Sequence, residues 1–411
     1  MSKVRLCLAG LGGRGRGVLG SVLLTMDDVE ISAVCDIYED RIAAAVDIVK
    51  EAGRPAPEGF TDYRLMIDTI HPDAVLIFTG WEYHTEIAVY AMEHGAHVGS
   101  EVGCAYSMEE LYHLVETKER TGRQYMFMEN CCYGKEELLA TAMARAGLFG
   151  TIVHAQGSYA HDLREEILYG IENRHYRFRN YQNRCLENYP THELGPIARL
   201  LGINRGNRIV SVVSVASKAE GLKAYAEKQD QAGKLPDSAR DVVFRQGDIV
   251  TTILSCAGGE TITLRLDTTL PRFYARDFTI RGTKGLYEQN TNTVFLEDVH
   301  PEAYWETARS YQAFINNAEA YEEAYLPSIW KEVTPEVLAA GHGGMDYFCY
   351  RAFIDAVRDG TDVPIDVYDG ATWMAVSVLS EISIQQGGAP QAMPDFTGGK
   401  WHLRPLKDVI Q

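Results

Sequence analysis

Two sets of residues in this 411-residue chain have types and spacings that could do chemistry, one in each half. The first begins with Gly10-Leu11-Gly12-Gly13-Arg14-Gly15, a GxGxxG run that follows the apolar stretch KVRLCLAG and opens a helical pattern. In that context Gly10 permits a tight turn, Gly12 lets the backbone approach a pyrophosphate, and Gly15 lets helix and strand pack closely. The phosphates would then sit at the positive end of the helix, with Gly13 and Arg14 in the same turn. A glycine-rich turn without a ligand is the plainer alternative. Asp36 ends the next apolar run, VEISAVCD. An acidic residue there accepts hydrogen bonds from both ribose hydroxyls and repels a 2′-phosphate, which favours NAD over NADP. Trp81 and His84, in WEYH after AVLIFTG, suit adenosine or nicotinamide ribose contacts, and packing and capping suit them equally. Glu101, in GSEVG, is a candidate for the nicotinamide ribose, and ENCCYG places Glu129 and Asn130 at the same sheet edge.

The second set is rich in tyrosine, histidine and arginine: Tyr159 in SYAHDLR, Arg177 and Arg179 in RHYRFRN, and Tyr189 and His192 in YPTHELGP. His154, His161, His175 and His192 form no HExxH pattern, and His192-Glu193 lacks the second histidine, so no metal site is expected. On the plain alternative Thr191 caps a helix, His192 is a satisfied polar side chain and the tyrosines pack a core. A sugar ring, however, also wants aromatic faces and polar tips.

These residues need elements to hold them. KVRLCLAG, VEISAVCD, AVLIFTG, HVGSEV and YMFMEN read as five strands separated by helical-period segments, the pattern of a doubly wound parallel sheet in an α/β Rossmann domain over residues 1–130. Beyond about residue 150, TIVHAQGSYA, RIVSVVSVAS, DIVTTILSCA, ETITLRLDTTL, DFTIRGTKG and GLYEQNTNTVFLE mostly follow one another directly. Consecutive strands predict an α+β domain over 131–411 with a mainly antiparallel open sheet, and Ala257-Gly258-Gly259 is a hairpin turn within it. PEAYWETARSYQAFINNAEAYEEAY reads as an amphipathic helix, and MDYFCYRAFIDAVRDG and ATWMAVSVLSEISIQQG as helices with a core-facing side.

Composition narrows the partners. With 39 Lys and Arg against 57 Asp and Glu, the net charge of −18 repels phosphate backbones, and nucleic acid is not an expected partner. The longest apolar runs, Val18 to Met26 and Ala74 to Phe78, fall short of the roughly 20 residues that cross a bilayer. The start, Met1-Ser2-Lys3 running straight into a strand, has no signal-peptide core, so a cytoplasmic location is expected. Eight scattered cysteines without a CxxC pair read as buried free thiols.

Over essentially its whole length the chain resembles the glucose-fructose oxidoreductase, inositol dehydrogenase and MocA family. That resemblance implies a Rossmann domain, bound NAD, and a second domain whose open sheet makes homo-oligomers. Typical dehydrogenases of that family carry Glu-Lys-Pro after the fourth strand, where this chain has Glu101-Val102-Gly103 and no lysine. Within the superfamily, WEYH, SEV, ENCCYG, SYAHDLR, YPTHELGP, INRG, DTT and GHGGMD together resemble the NAD-dependent α-N-acetylgalactosaminidases of glycoside hydrolase family 109.

By this resemblance Glu129, Tyr159, Arg177, Tyr189 and His192 line a sugar site, Arg179 competes with Arg177, and Tyr274 completes the pocket. The implied chemistry is redox-assisted elimination. His192, with Tyr189 beside it, removes the C3 hydroxyl proton as C3 gives hydride to NAD. Tyr159 takes the C2 proton, the aglycone leaves C1, water adds, and the hydride returns. Two departures fall near the substrate: Glu193 stands where the family has glycine, putting a carboxylate at the pocket edge, and the segment between Tyr159 and Tyr189 is short. An NAD-dependent sugar or polyol dehydrogenase that releases NADH, and a non-catalytic NAD-binding sensor, are the alternatives.

Overall fold

The computed structural model describes residues 3–300 and 310–410. The chain divides into two compact units, one running through Tyr133 and taking in Glu332–Thr372, the other made of Gly134–Lys331 and Trp373–Ile410.

In the first unit six parallel strands, β1 (Val4–Ala9), β2 (Val29–Cys35), β3 (Glu58–Phe60), β4 (Ala74–Ile77), β5 (His97–Ser100) and β6 (Tyr125–Phe127), form a sheet in the order β3-β2-β1-β4-β5-β6. Helices α1 (Gly13–Ser21), α2 (Glu39–Glu51), α3 (Tyr63–Ile70), α4 (His84–Glu93) and α5 (Met108–Thr121) alternate with them. The central strands are mainly apolar, and Leu6, Leu8, Val75, Leu76 and Val98 are fully buried, as a sheet covered on both faces requires. Strand order reverses between β1 and β4, the switch point where such sheets bind ligands. There Gly10 has φ +96°, and a Cβ on it would stand 2.5 Å from the Phe78 carbonyl carbon, so only glycine fits. A Cβ at Gly15 would stand 2.2 Å from the Gly10 oxygen, which fixes how closely α1 approaches β1.

The segment 332–372, which the sequence reading placed within 131–411, groups by its contacts with the first unit. Its helix Met345–Asp359 buries Cys349, Tyr350, Phe353 and Ile354. Tyr350 stacks on Phe78 with centroids 6.2 Å apart, and a Cβ on Gly99 of β5 would touch Phe353 at 3.2 Å. Arg351 and Arg358 both donate to Asp28, just before β2. An apolar stripe shows that a helix packs; it does not show on which sheet.

The second unit holds an eight-stranded sheet of β7 (Ile152–Ala160), β8 (Ile209–Ala216), β9 (Ile249–Cys256), β10 (Thr261–Asp267), β11 (Thr279–Gly282), β12 (Gly285–Glu288), β13 (Thr293–Leu296) and β14 (Gln391–Ala392). The order is β13-β12-β11-β7-β10-β9-β8-β14. The β7–β10 pair is parallel and the other described pairs are antiparallel, so the sheet is mainly antiparallel. Gly259 closes the β9–β10 hairpin by donating to the Cys256 carbonyl at 3.1 Å. The helix Thr191–Leu200, buried along its whole length, packs on one face of β7.

The amphipathic helix predicted for 301–325 is not what the described part forms; residues 301–309 lie outside the described residues. Ser310–Phe314 and Asn317–Tyr321 are 3₁₀ turns and Glu322–Tyr325 a single helical turn. Asn316 interrupts them at φ +63°, and the Asn317 side chain bonds both the Val294 amide (2.7 Å) and its carbonyl (2.8 Å), side-chain bonding that competes with helix. Among the described residues no helix is long and apolar enough to cross a membrane. All eight cysteines are free, and all but Cys185 are buried.

Candidate active site

Tyr159, Tyr189, His192 and Arg177 come together in the second unit. Tyr159 is the last but one residue of β7, Tyr189 precedes the helix Thr191–Leu200, His192 lies in its first turn, and Arg177 opens the helix Arg177–Asn183. The Tyr159 and Tyr189 ring centroids are 4.4 Å apart. His192 meets both edge to face, at 5.4 Å from Tyr159 and 4.8 Å from Tyr189. The Arg177 guanidinium carbon lies 5.1 Å from the Tyr189 ring centre and 6.0 Å from that of Tyr159, within cation–π range. Its guanidinium forms an ion pair with Glu166, Nε to carboxylate oxygen 2.9 Å. Burial opposes the Arg177 charge, but Tyr176, Tyr159 and Glu166 outweigh it and hold the guanidinium protonated. Arg179, on the same helix, is exposed.

His161, which sequence reasoning gave no role, belongs to this cluster. Two residues beyond Tyr159, its Nδ1 lies 3.5 Å from the Tyr159 hydroxyl. Period-two spacing from Tyr159 was the signal. Its ring meets that of half-exposed Tyr274 edge to face at 5.3 Å, because Ala160 and Ala275 pair across the strand ends. Burial, then Arg177, pushes the His161 imidazole below its ordinary value, which favours the neutral ring. Glu193 is buried on the sheet side of its helix, where its Cβ would lie 2.6 Å from a Cβ on Gly157. Glu129 is in the first unit, fully buried after β6, where its carboxylate accepts the Cys131 amide at 3.0 Å.

The cofactor candidates gather at the switch point of the first unit. Helix α1 has Gly12 as its N-cap, with no side-chain cap and no acidic residue in its first turn. A Cβ on Gly13 would meet nothing within 4 Å, and one on Gly12 only the Arg41 guanidinium at 3.7 Å. An uncapped helix start with open ground before it fits a pyrophosphate. Asp36 accepts the Leu11 amide at 2.7 Å on one oxygen and the Tyr38 amide at 3.1 Å on the other, which fixes its carboxylate beside the glycine turn. Arg41 Nη1 stands 3.8 Å away. Asp36→Ser should therefore raise NADP affinity relative to NAD by removing the repulsion while Arg41 remains. Titrating both nucleotides checks this, and equal affinities in the unmodified protein would contradict it.

Trp81 and His84 are buried. The His84 ring directs Nε2 at the Thr79 carbonyl (3.0 Å) and Nδ1 at the Ser100 hydroxyl (3.5 Å), and burial disfavours its cation. Both nitrogens thus face the chain itself. Arg14 and Glu101 are joined: Arg14 Nε and Nη2 donate to Glu101 Oε1 at 3.0 and 2.7 Å. Around them stand Asn130, His342, Asp346 and Tyr350, which the sequence presented in ENCCYG, GHGGMD and the following helix without disclosing a task.

Residues 133–403 match the model of the Glycosyl hydrolase 109 C-terminal domain, and residues 4–129 that of the oxidoreductase family with an NAD-binding Rossmann fold. The chain belongs to glycosyl hydrolase family 109. A Glycosyl hydrolase family 109 protein of Stenotrophomonas maltophilia is 37% identical to it across 98% of this chain and 91% of that one. An alpha-N-acetylgalactosaminidase of Tannerella forsythia is 34% identical across 98% and 88%. The solved structure of levoglucosan dehydrogenase in complex with NADH aligns with a TM-score of 0.68 at 18% identity, covering 96% of this chain and all (100%) of that one, which shows a shared fold. This family 109 member is an NAD-dependent glycosidase on an oxidoreductase fold.

Proposed function

We propose that this family 109 enzyme cleaves α-N-acetylgalactosaminides or related glycosides by oxidation at C3, elimination across C1 and C2, water addition and re-reduction. The observation that carries this reading is the packed trio of Tyr159, Tyr189 and His192 under the Arg177 guanidinium. NAD, when bound, supplies the hydride acceptor and returns the hydride at the end of the cycle. Gly12 and Gly13 leave room for its phosphates, Asp36 takes the adenosine ribose and Glu101 the nicotinamide ribose. His192, oriented by Tyr189, removes the proton of the C3 hydroxyl. The C3 ketone acidifies the C2 proton, which Tyr159 takes; Arg177 stabilises the negative charge that develops, and the aglycone leaves C1 with the bonding electrons. Water then adds at C1 as Tyr159 returns a proton to C2. The Tannerella forsythia relative supports the N-acetylgalactosamine substrate. Incubation with a panel of aryl glycosides tests the reading: aglycone release without net NADH is expected, net NADH would indicate a dehydrogenase, and silence on every glycoside a sensor.

The second unit's sheet carries helix on one face, and on the other Val213, Val215, Ile253, Thr263 and Arg265 alternate outward with buried Val212, Ser214, Leu254 and Leu264. This open face is the proposed homo-oligomer contact. Ile253→Asp combined with Val215→Asp is expected to yield monomer by light scattering, and an unmodified protein that is already monomeric would contradict it. Eight free thiols support a cytoplasmic location, which fractionation of the host cell checks.

A further inference from the structure

Arg14 lies in the glycine turn where a phosphate ligand is expected, yet its donors are already spent within the first unit. Nε and Nη2 donate to Glu101 Oε1, while Nη1 and Nη2 donate to the two oxygens of Asp346 at 2.6 and 2.9 Å. These bonds consume four of the five guanidinium N–H groups. The fifth belongs to Nη1, which lies 3.3 Å from the His342 ring. Asp346 is equally committed: one oxygen takes Arg14 and the Asn130 amide (2.7 Å), the other Arg14 and His342 Nδ1 (2.8 Å). Burial alone would raise the Asp346 carboxyl, but His342 and Arg14 outweigh it and hold the group well below the ordinary range. Gly341 allows this: it has φ +78°, and a Cβ there would stand 2.5 Å from Asp346 Oδ2.

Glu101 shows the result of this arrangement. Both Arg14 bonds and the Tyr350 hydroxyl, at 2.5 Å, converge on Oε1, so Oε2 is held in place and takes no hydrogen bond among the described residues. Burial and then Glu101 push the Tyr350 phenol up, which keeps it a donor.

We infer that Asp346 is a positioning residue of the cofactor site: it fixes Arg14 as an internal tie, and Arg14 with Tyr350 presents Glu101 Oε2 to the nicotinamide ribose. The inference rests on the reading of Glu101 as the ribose acceptor. It gives the GHGGMD turn and the helix after it a task in cofactor binding, through residues that need not touch the cofactor.

The test is calorimetric titration of NAD, and of ADP, which lacks the nicotinamide ribose, into the unmodified protein and the variants Asp346→Asn, Arg14→Met and Tyr350→Phe. The expected result is a roughly 10-fold to 100-fold loss of NAD affinity, the worth of one or two charge-assisted bonds. ADP affinity should stay within about twofold, because the pyrophosphate relies on the helix start and not on Arg14. Tyr350→Phe removes one hydroxyl only and keeps the test decisive if the charge variants fold poorly. Parallel loss of ADP and NAD would overturn the inference and make Arg14 a phosphate ligand or the network merely structural. Unchanged NAD affinity in all three variants would overturn it too. Unmodified protein that binds NAD no more tightly than ADP would instead show that the underlying reading of Glu101 is wrong.

Discussion

His192→Ala is expected to lower turnover of an aryl glycoside by about 10²–10⁴-fold, the usual loss when a general base is removed. The side chain stands in the first turn of a fully buried helix, edge-on to both Tyr159 and Tyr189. Removing it takes away the proton acceptor for oxidation at C3 and leaves the first unit's sheet untouched. NAD affinity should therefore survive while kcat falls, and a pre-steady-state scan should show no reduction of bound NAD by substrate. A variant with near-normal kcat would mean that His192 only packs the helix start.

Most of the scaffold was legible because local pattern dictates it. Apolar runs of four to seven residues between helical segments read directly as β1, β2, β4, β5 and β6. β3 escaped because Glu58-Gly59-Phe60 has one apolar side chain in three and no buried residue, whereas the equally short β6 is Tyr125-Met126-Phe127, apolar and buried throughout. The 310–325 stretch misled because helix formers surround Asn316 and Asn317, whose turn chemistry prevailed. Tyr159, Tyr189 and His192 were singled out through motifs, and the fold packs their rings together, whereas Asp346 was not given a role. The Arg14–Asp346 pair spans 332 positions, a separation at which periodicity carries no information. His161 was passed over because a lone half-buried histidine looks like any other polar strand residue until its ring is seen beside the Tyr159 hydroxyl.

Tyr159→Phe is expected to separate the two halves of the reaction. The substitution keeps the ring that packs on Tyr189 at 4.4 Å and deletes only the hydroxyl near His161. Aglycone release should fall by about 10²–10⁴-fold with loss of the C2 base. Oxidation at C3 should persist, so substrate should still reduce bound NAD. Loss of both steps together would place Tyr159 in substrate binding, and retention of aglycone release would remove it from the chemistry.

Turnover in heavy water tests the elimination itself. A ketone at C3 makes the C2 hydrogen exchangeable, and His161, with Nδ1 3.5 Å from the Tyr159 hydroxyl, offers the abstracted proton a route to solvent. Direct displacement by a carboxylate pair never breaks the C2 bond. The expected result is deuterium at C2 of the released sugar, together with slower cleavage of a C2-deuterated substrate. Sugar that keeps all its protium at C2, cleaved at the same rate whether C2 carries protium or deuterium, would contradict elimination.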